Sequence, residues 1–220
     1  MEAHAEFGHR SNDIVSGILH IIGAGLSIAI LAILVVYGAK IGGPWHIVGY
    51  AIFGAGLTLL YLASAFYHLI PHHRVRTKRV FQILDHAMIF VLIAATYTPV
   101  LFLALPAGWR WSIFGVVWGL ALVGILIKTT RVHFPTVLQN ILYLVMGWVI
   151  VVALSPLREH MSALALWLLF FGGVSYTVGV VFFALDDLLR KRKYFWMHEI
   201  FHVFVMGGST LHILVMFLLL

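Results

Sequence analysis

Seven long apolar runs separated by short polar connections organise the chain, near residues 15–39, 46–70, 80–104, 111–128, 136–154, 162–185 and 195–220. A helix that crosses a bilayer needs about 20 mainly apolar residues, and each run meets or approaches that length. Strands of a membrane barrel would alternate apolar and polar positions over about ten residues. These runs are continuously apolar and about twice as long, so they predict an all-α, seven-transmembrane helix bundle. No linker or second compositional regime interrupts the series, and residues 1–220 are read as one seven-transmembrane domain.

Composition supports a membrane setting. Of the 220 residues, 62% are hydrophobic and 10% charged, against about 25% charged in a soluble domain. Too little polar surface remains to cover a water-soluble globule. The opening stretch, MEAHAEFGHRSND, has no basic n-region and leads to no small-residue cleavage site, so the first run is expected to be a retained span. The absence of cysteine excludes disulfides and thiolate metal sites. Paired glycines within the spans (Gly23 and Gly25, Gly54 and Gly56, Gly172 and Gly173, Gly207 and Gly208) are read as sites of close helix contact.

The net charge of +6 would suit a nucleic-acid partner, but the basic residues sit in short loops, where topology explains them, and none is expected. The tail and the second, fourth and sixth connections hold eleven Lys and Arg: Arg10; Arg74, Arg76, Lys78 and Arg79; Lys128 and Arg131; Arg190, Lys191, Arg192 and Lys193. The other side holds three, Lys40, Arg110 and Arg158. Positive residues favour the cytoplasmic side, which predicts a cytoplasmic N-terminus and an external C-terminus in the plasma (inner) membrane.

Ionisable groups inside spans are costly, so each needs a reason. The second run contains SAFYH, with Ser64 and His68 one helical turn apart. The third contains LDHAM, with Asp85 and His86, and the seventh contains HEIFH, with His198 and His202 again four residues apart. His68 lies three residues before Pro71, Asp85 six after Arg79, and His198 and His202 five and nine after Lys193. At about 1.5 Å per residue, three helices thus place polar groups in one layer, roughly 5–15 Å inside the cytoplasmic boundary.

That layer suits a zinc site. A catalytic zinc takes three protein ligands plus a water, and His68, His198 and His202 supply three imidazoles. Asp85 is placed to accept a hydrogen bond from that water or to complete the coordination itself, and Ser64 to donate to a developing oxyanion or orient a ligand. Zinc would make hydroxide available near neutral pH. HEIFH also matches the H-E-x-x-H signature of soluble metallopeptidases, whose Glu is the general base. A peptidase is the weaker reading, because Asp85 already supplies a carboxylate and Glu199 has the option of pairing with Arg74 or Arg76. His20, His86 and His212 are each read as hydrogen-bonding a neighbouring helix. His46, His72, His73, His133 and His160 are read as solvated, and Asp186 and Asp187 as pairing with the adjacent basic loop.

Ser64-x-x-x-His68, then Asp85, then His198-x-x-x-His202 on the final helix together resemble the pattern of the hemolysin III and progestin/adipoQ-receptor family, with a related pattern in the alkaline ceramidases. The RSNDIVSGILH stretch loosely resembles that family's Asn-plus-His opening, which gives His20 a supporting role. The resemblance implies a cytoplasmic-side Zn2+ site with His68, His198 and His202 as ligands, Asp85 on the metal's water and Ser64 beside it. It also implies a zinc-dependent hydrolase of a lipid amide or ester, with a membrane lipid as substrate. Two alternatives stand beside it: a pore-forming or haemolytic membrane protein, and a receptor-like regulator whose zinc is structural.

Overall fold

The computed structural model describes residues 10–130, 134–188 and 196–219. Arg131, His133, Arg190, Lys191, Arg192 and Lys193, which enter the charge asymmetry and the loop expectations above, lie outside them. The described residues are helical, with no strand among them: α1 (Arg10–Ile41), α2 (Pro44–Leu69), α3 (Val75–Ala104), α4 (Ala107–Thr129), α5 (Thr136–Trp148), a 3-10 segment (Val149–Ala153), α6 (Leu154–His160), α7 (Ala163–Leu188) and α8 (Met197–Leu218). The stretch Thr136–His160 forms one span through α5, the 3-10 segment and α6, so seven spans are long and apolar enough to cross a membrane.

Local sequence sets several boundaries. Pro44 stands in the first turn of α2, where its missing N–H costs nothing, and Pro106 and Pro135 occupy the caps of α4 and α5. Some spans extend beyond the apolar runs, to Arg10, Val75 and His160, because polar residues there remain helical. Lys78, expected in a connection, is three residues inside α3, and its side chain is fully buried.

Chain neighbours pack as antiparallel hairpins, most extensively α1 with α2, α2 with α3, and α7 with α8, and α1 also meets α8. Close approach of α2 and α3 depends on Gly49, where a Cβ would stand 2.9 Å from the Pro99 Cα. Of the paired glycines, Gly54 and Gly56 both fill a packing role, against Leu31 and Ala95. Gly25 has open space around it, and Gly173 only an ordinary contact with Trp148. Large apolar side chains such as Leu26, Ile41, Val137 and Val152 point outward, as a hydrocarbon surround requires.

The break between α5 and α6 has an identifiable cause. The Tyr97 hydroxyl of α3 inserts into the helical ladder, donating toward the carbonyls of Met146 at 2.7 Å and Gly147 at 2.8 Å and accepting from the Ile150 N–H at 3.0 Å. A side chain that takes over ladder positions in this way interrupts the helix, and 3-10 geometry follows. Tyr97, Gly147 and Trp148 then line an internal cavity.

Candidate metal centre

His68 lies in the last turn of α2, and His198 and His202 in the first two turns of α8. The four-residue spacing turns both α8 imidazoles to one side of the helix. Their ring centroids lie 4.6 Å apart, with His68 at 5.1 Å from His198 and 5.0 Å from His202. One nitrogen from each ring falls within 4.8 Å of the other two. His68 and His202 are buried, and His198 is half-buried.

The donor set fits a zinc ion. Two nitrogens bound at 2.0–2.1 Å to one tetrahedral zinc stand about 3.3–3.4 Å apart, and the Nε2 atoms of His68 and His198 are 3.3 Å apart. His68 Nδ1–H donates to Asp13 Oδ1 at 2.9 Å, which leaves the Nε2 lone pair directed at the cluster. A carboxylate behind a ligand imidazole is the usual device for fixing its tautomer. The second oxygen of Asp13 accepts from the buried Lys78 ammonium at 2.8 Å and has His72 Nε2 at the same distance. His72 is therefore half-buried against a carboxylate rather than a solvated loop residue; His73 is exposed, as expected.

Asp85 and Ser64 line the same cavity as His198 and His202. Ser64 Oγ is buried beside the Asp85 carboxylate, within hydrogen-bonding reach of it. The Asp85 carboxylate is buried but is not among the atoms that meet within 4.8 Å, so the converging set is three imidazoles. The cavity has an empty volume of about 1080 Å³, counting its open mouth, and runs from these histidines past Ile89, Leu92, Val180 and Val205 to His212. Its walls are mainly apolar, with Ser64 and Asp85 near the histidines and further polar groups such as Asn140, Tyr143 and Thr177 along the rest.

Glu199 has a different task from the one H-E-x-x-H suggests. Its Oε2 accepts from the Trp196 backbone N–H at 2.6 Å, and its Oε1 accepts from the Ser16 hydroxyl at 3.2 Å. It caps α8 and is buried, occupied on both oxygens rather than paired with Arg74 or Arg76.

The remaining histidines vary. His20 makes no hydrogen bond through either nitrogen among the described residues; its ring stacks on His202 at 4.0 Å between centroids. His86 Nδ1 faces Lys128 Nζ of α4 at 3.3 Å, an interhelical contact as expected. His212 instead bonds the Gly208 carbonyl of its own helix at 2.7 Å and stacks on Tyr176 of α7. Asp186 Oδ2 lies 4.0 Å from His198 Nδ1, while the basic loop it was expected to meet lies outside the described residues.

Sequence reasoning overlooked Asp13 and Ser16. Both lie in the RSNDIVSGILH stretch, seven and four residues before His20, and share its helical face. An acid inside a span was the available signal, masked because Asp13 stands at the polar margin of the first run.

Comparison with known proteins places the chain in a lineage. Residues 8–213 match the family model described as haemolysin-III related. The chain belongs to that family. It is 41% identical over 198 residues to a hemolysin-3 homolog of Bacillus subtilis, covering 90% of this chain and 89% of the relative. Hemolysin-3 of Bacillus cereus is 38% identical over 199 residues, 90% of this chain and 87% of that one. The human monocyte to macrophage differentiation factor is 28% identical over 177 residues, 76% of this chain and 68% of the relative. The family match spans His68, Asp85, His198 and His202, and it covers Asp13 as well.

Proposed function

We propose that this multi-pass membrane protein is a zinc-dependent hydrolase of a lipid amide or ester. The observation that carries the reading is the convergence of His68, His198 and His202, with ligand atoms within 4.8 Å of one another, at one end of a mainly apolar cavity. Three neutral protein ligands match the catalytic pattern of zinc, whereas structural zinc sites close with four. An acyl chain suits the apolar walls, and its carbonyl would lie at the histidine end.

Zinc, when bound, supplies a Lewis acid for the carbonyl and makes hydroxide available near pH 7. Asp85 takes the proton of the attacking water and returns it to the departing amine or alcohol. Ser64 Oγ, buried beside Asp85, would turn its hydrogen to the carbonyl oxygen as negative charge develops there. The apolar walls exclude bulk water from the scissile bond and hold the acyl chain in register with Ser64 and Asp85. We place the site on the cytoplasmic side of the plasma membrane, on the strength of the asymmetry of eleven basic residues against three.

The test is to purify the protein from membranes, measure its metal, and offer ceramide-like amides and acyl esters while following fatty-acid release. Turnover that depends on His198 and Asp85 is the expected result. Bound zinc with no turnover on any such lipid overturns the hydrolase reading and favours a structural ion that ties α2 to α8.

A further inference from the structure

Asp13, Ser16 and His20 recur at i, i+3 and i+7 on α1, which puts them on one face of that helix. All three are buried, while Ile14, Val15 and Ile18 between them are exposed. Each reaches a different part of the proposed metal centre. Asp13 accepts from His68 Nδ1–H at 2.9 Å. Ser16 donates to Glu199, the residue after His198, at 3.2 Å. His20 stacks on the ring of His202 at 4.0 Å, with 28° between the planes.

A stripe that served only to pack α1 against its neighbours would be apolar, because polar groups inside a span are costly. Further along the same helix the inward positions are indeed mostly small or apolar, as at Gly23, Ala24 and Leu34. The next buried polar residue, Ser27, bonds the Ala24 carbonyl of its own helix and faces Thr58 of α2, so the polar groups of α1 that meet His68 or α8 are those of its first turns. The buried Lys78 ammonium, 2.8 Å from Asp13 Oδ2, holds the second oxygen of that carboxylate in place.

We propose that the start of α1 is the positioning element of the metal centre. It rests on the metal reading above and assigns roles that reading leaves open. Asp13 fixes His68 as the Nδ1–H tautomer, so that the Nε2 lone pair faces the ion. Ser16 sets the rotation of α8 through the Glu199 cap, and His20 holds the plane of the His202 ring. Asp13 is a positioning residue and touches neither ion nor substrate.

The test reads proton position and metal geometry separately, in purified protein in lipid nanodiscs. Nitrogen NMR of histidine-labelled, chelator-treated wild type, with the His68 signals assigned by their loss in His68→Ala, reports which nitrogen carries the proton. The expected result is Nδ1–H in wild type and a shift toward Nε2–H in Asp13→Asn. Zinc affinity is expected to fall about 10- to 100-fold in Asp13→Asn, with an altered visible spectrum when cobalt replaces zinc. Ser16→Ala and His20→Phe are expected to change the cobalt spectrum while leaving the His68 tautomer alone. Wild-type protein with its His68 proton on Nε2 overturns the proposal without recourse to any variant. So does an Asp13→Asn protein with unchanged tautomer, affinity and cobalt spectrum. Wild-type protein that binds neither zinc nor cobalt overturns the metal reading and this one with it, a result distinct from the other two.

Discussion

His68 and His198, 130 residues apart in sequence, bring their Nε2 atoms to 3.3 Å. Two neutral imidazoles so close leave at most one N–H between the facing nitrogens, and the Asp13 bond already holds a proton on the far side of His68. A cation between the rings satisfies both lone pairs and that of His202 together. Purified wild type is therefore expected to carry about one zinc per chain. His68→Ala, His198→Ala and His202→Ala should each weaken binding by more than the roughly 100-fold that loss of a supporting group costs. Elemental analysis after dialysis against a mild chelator checks this, and variants that retain one equivalent would refute it.

Glu199 separates two readings of the same five residues. As a peptidase base it would face the ion, and Glu199→Gln would cost about 10²–10⁴ in rate. Instead its oxygens hold the Trp196 N–H and the Ser16 hydroxyl. Glu199→Gln is expected to keep lipid hydrolysis within about tenfold of wild type. Glu199→Ala is expected to destabilise by about 1 kcal/mol for the lost cap, with a further cost for the stranded Ser16 hydroxyl. Thermal unfolding in detergent, run beside the lipid assay, distinguishes these outcomes.

Tyr97 offers a test of how the cavity is shaped. Its hydroxyl serves two carbonyls and one N–H where the fifth span changes from α-helix to 3-10 geometry. Tyr97→Phe keeps the ring and removes all three bonds, so a loss of about 1–3 kcal/mol in stability is expected. The segment Val149–Ala153 should then relax toward a continuous helix, narrowing the cavity near Gly147 and Trp148. Hydrogen exchange at Ile150 is the direct readout: slow exchange is expected once its amide passes to the Met146 carbonyl, and fast exchange would refute the relaxation.

How far the sequence reveals this arrangement depends on the distance over which each feature is encoded. Apolar run length is local, so all seven spans stand where the pattern predicts, with ends shifted by up to about six residues where helix continues to Arg10, Val75 and His160. The depth argument for His68, His198 and His202 also transfers, because rise per residue turns sequence offset into height. Facing partners are another matter. Nothing in the order of residues announces that Asp13 sits behind His68, since that contact depends on the rotation of α1 against α2. The same holds for Tyr97, a ring that reads as ordinary apolar filling until its hydroxyl is seen inside another helix. Lys78 misleads for a simpler reason: a cation beside a loop is assumed to face water, whereas a carboxylate on α1 draws it inward.

The names of the two bacillar relatives raise the question of lysis, and the fold bears on how it would arise. A pore needs a continuous polar path across the bilayer, lined by groups able to solvate ions. The cavity instead has mainly apolar walls, and two of the polar groups along it are engaged with neighbouring atoms: His212 bonds the Gly208 carbonyl and Tyr176 the Ser209 hydroxyl. Liposomes of neutral phospholipid carrying the purified protein are accordingly expected to retain an encapsulated dye as well as protein-free liposomes do. Liposomes containing a lipid that the protein hydrolyses are expected to leak slowly, in step with fatty-acid release, and to stop leaking with His198→Ala. Prompt leakage from the neutral liposomes, equal for wild type and His198→Ala, would mean that membranes are opened by the bundle itself and not by chemistry at its histidines.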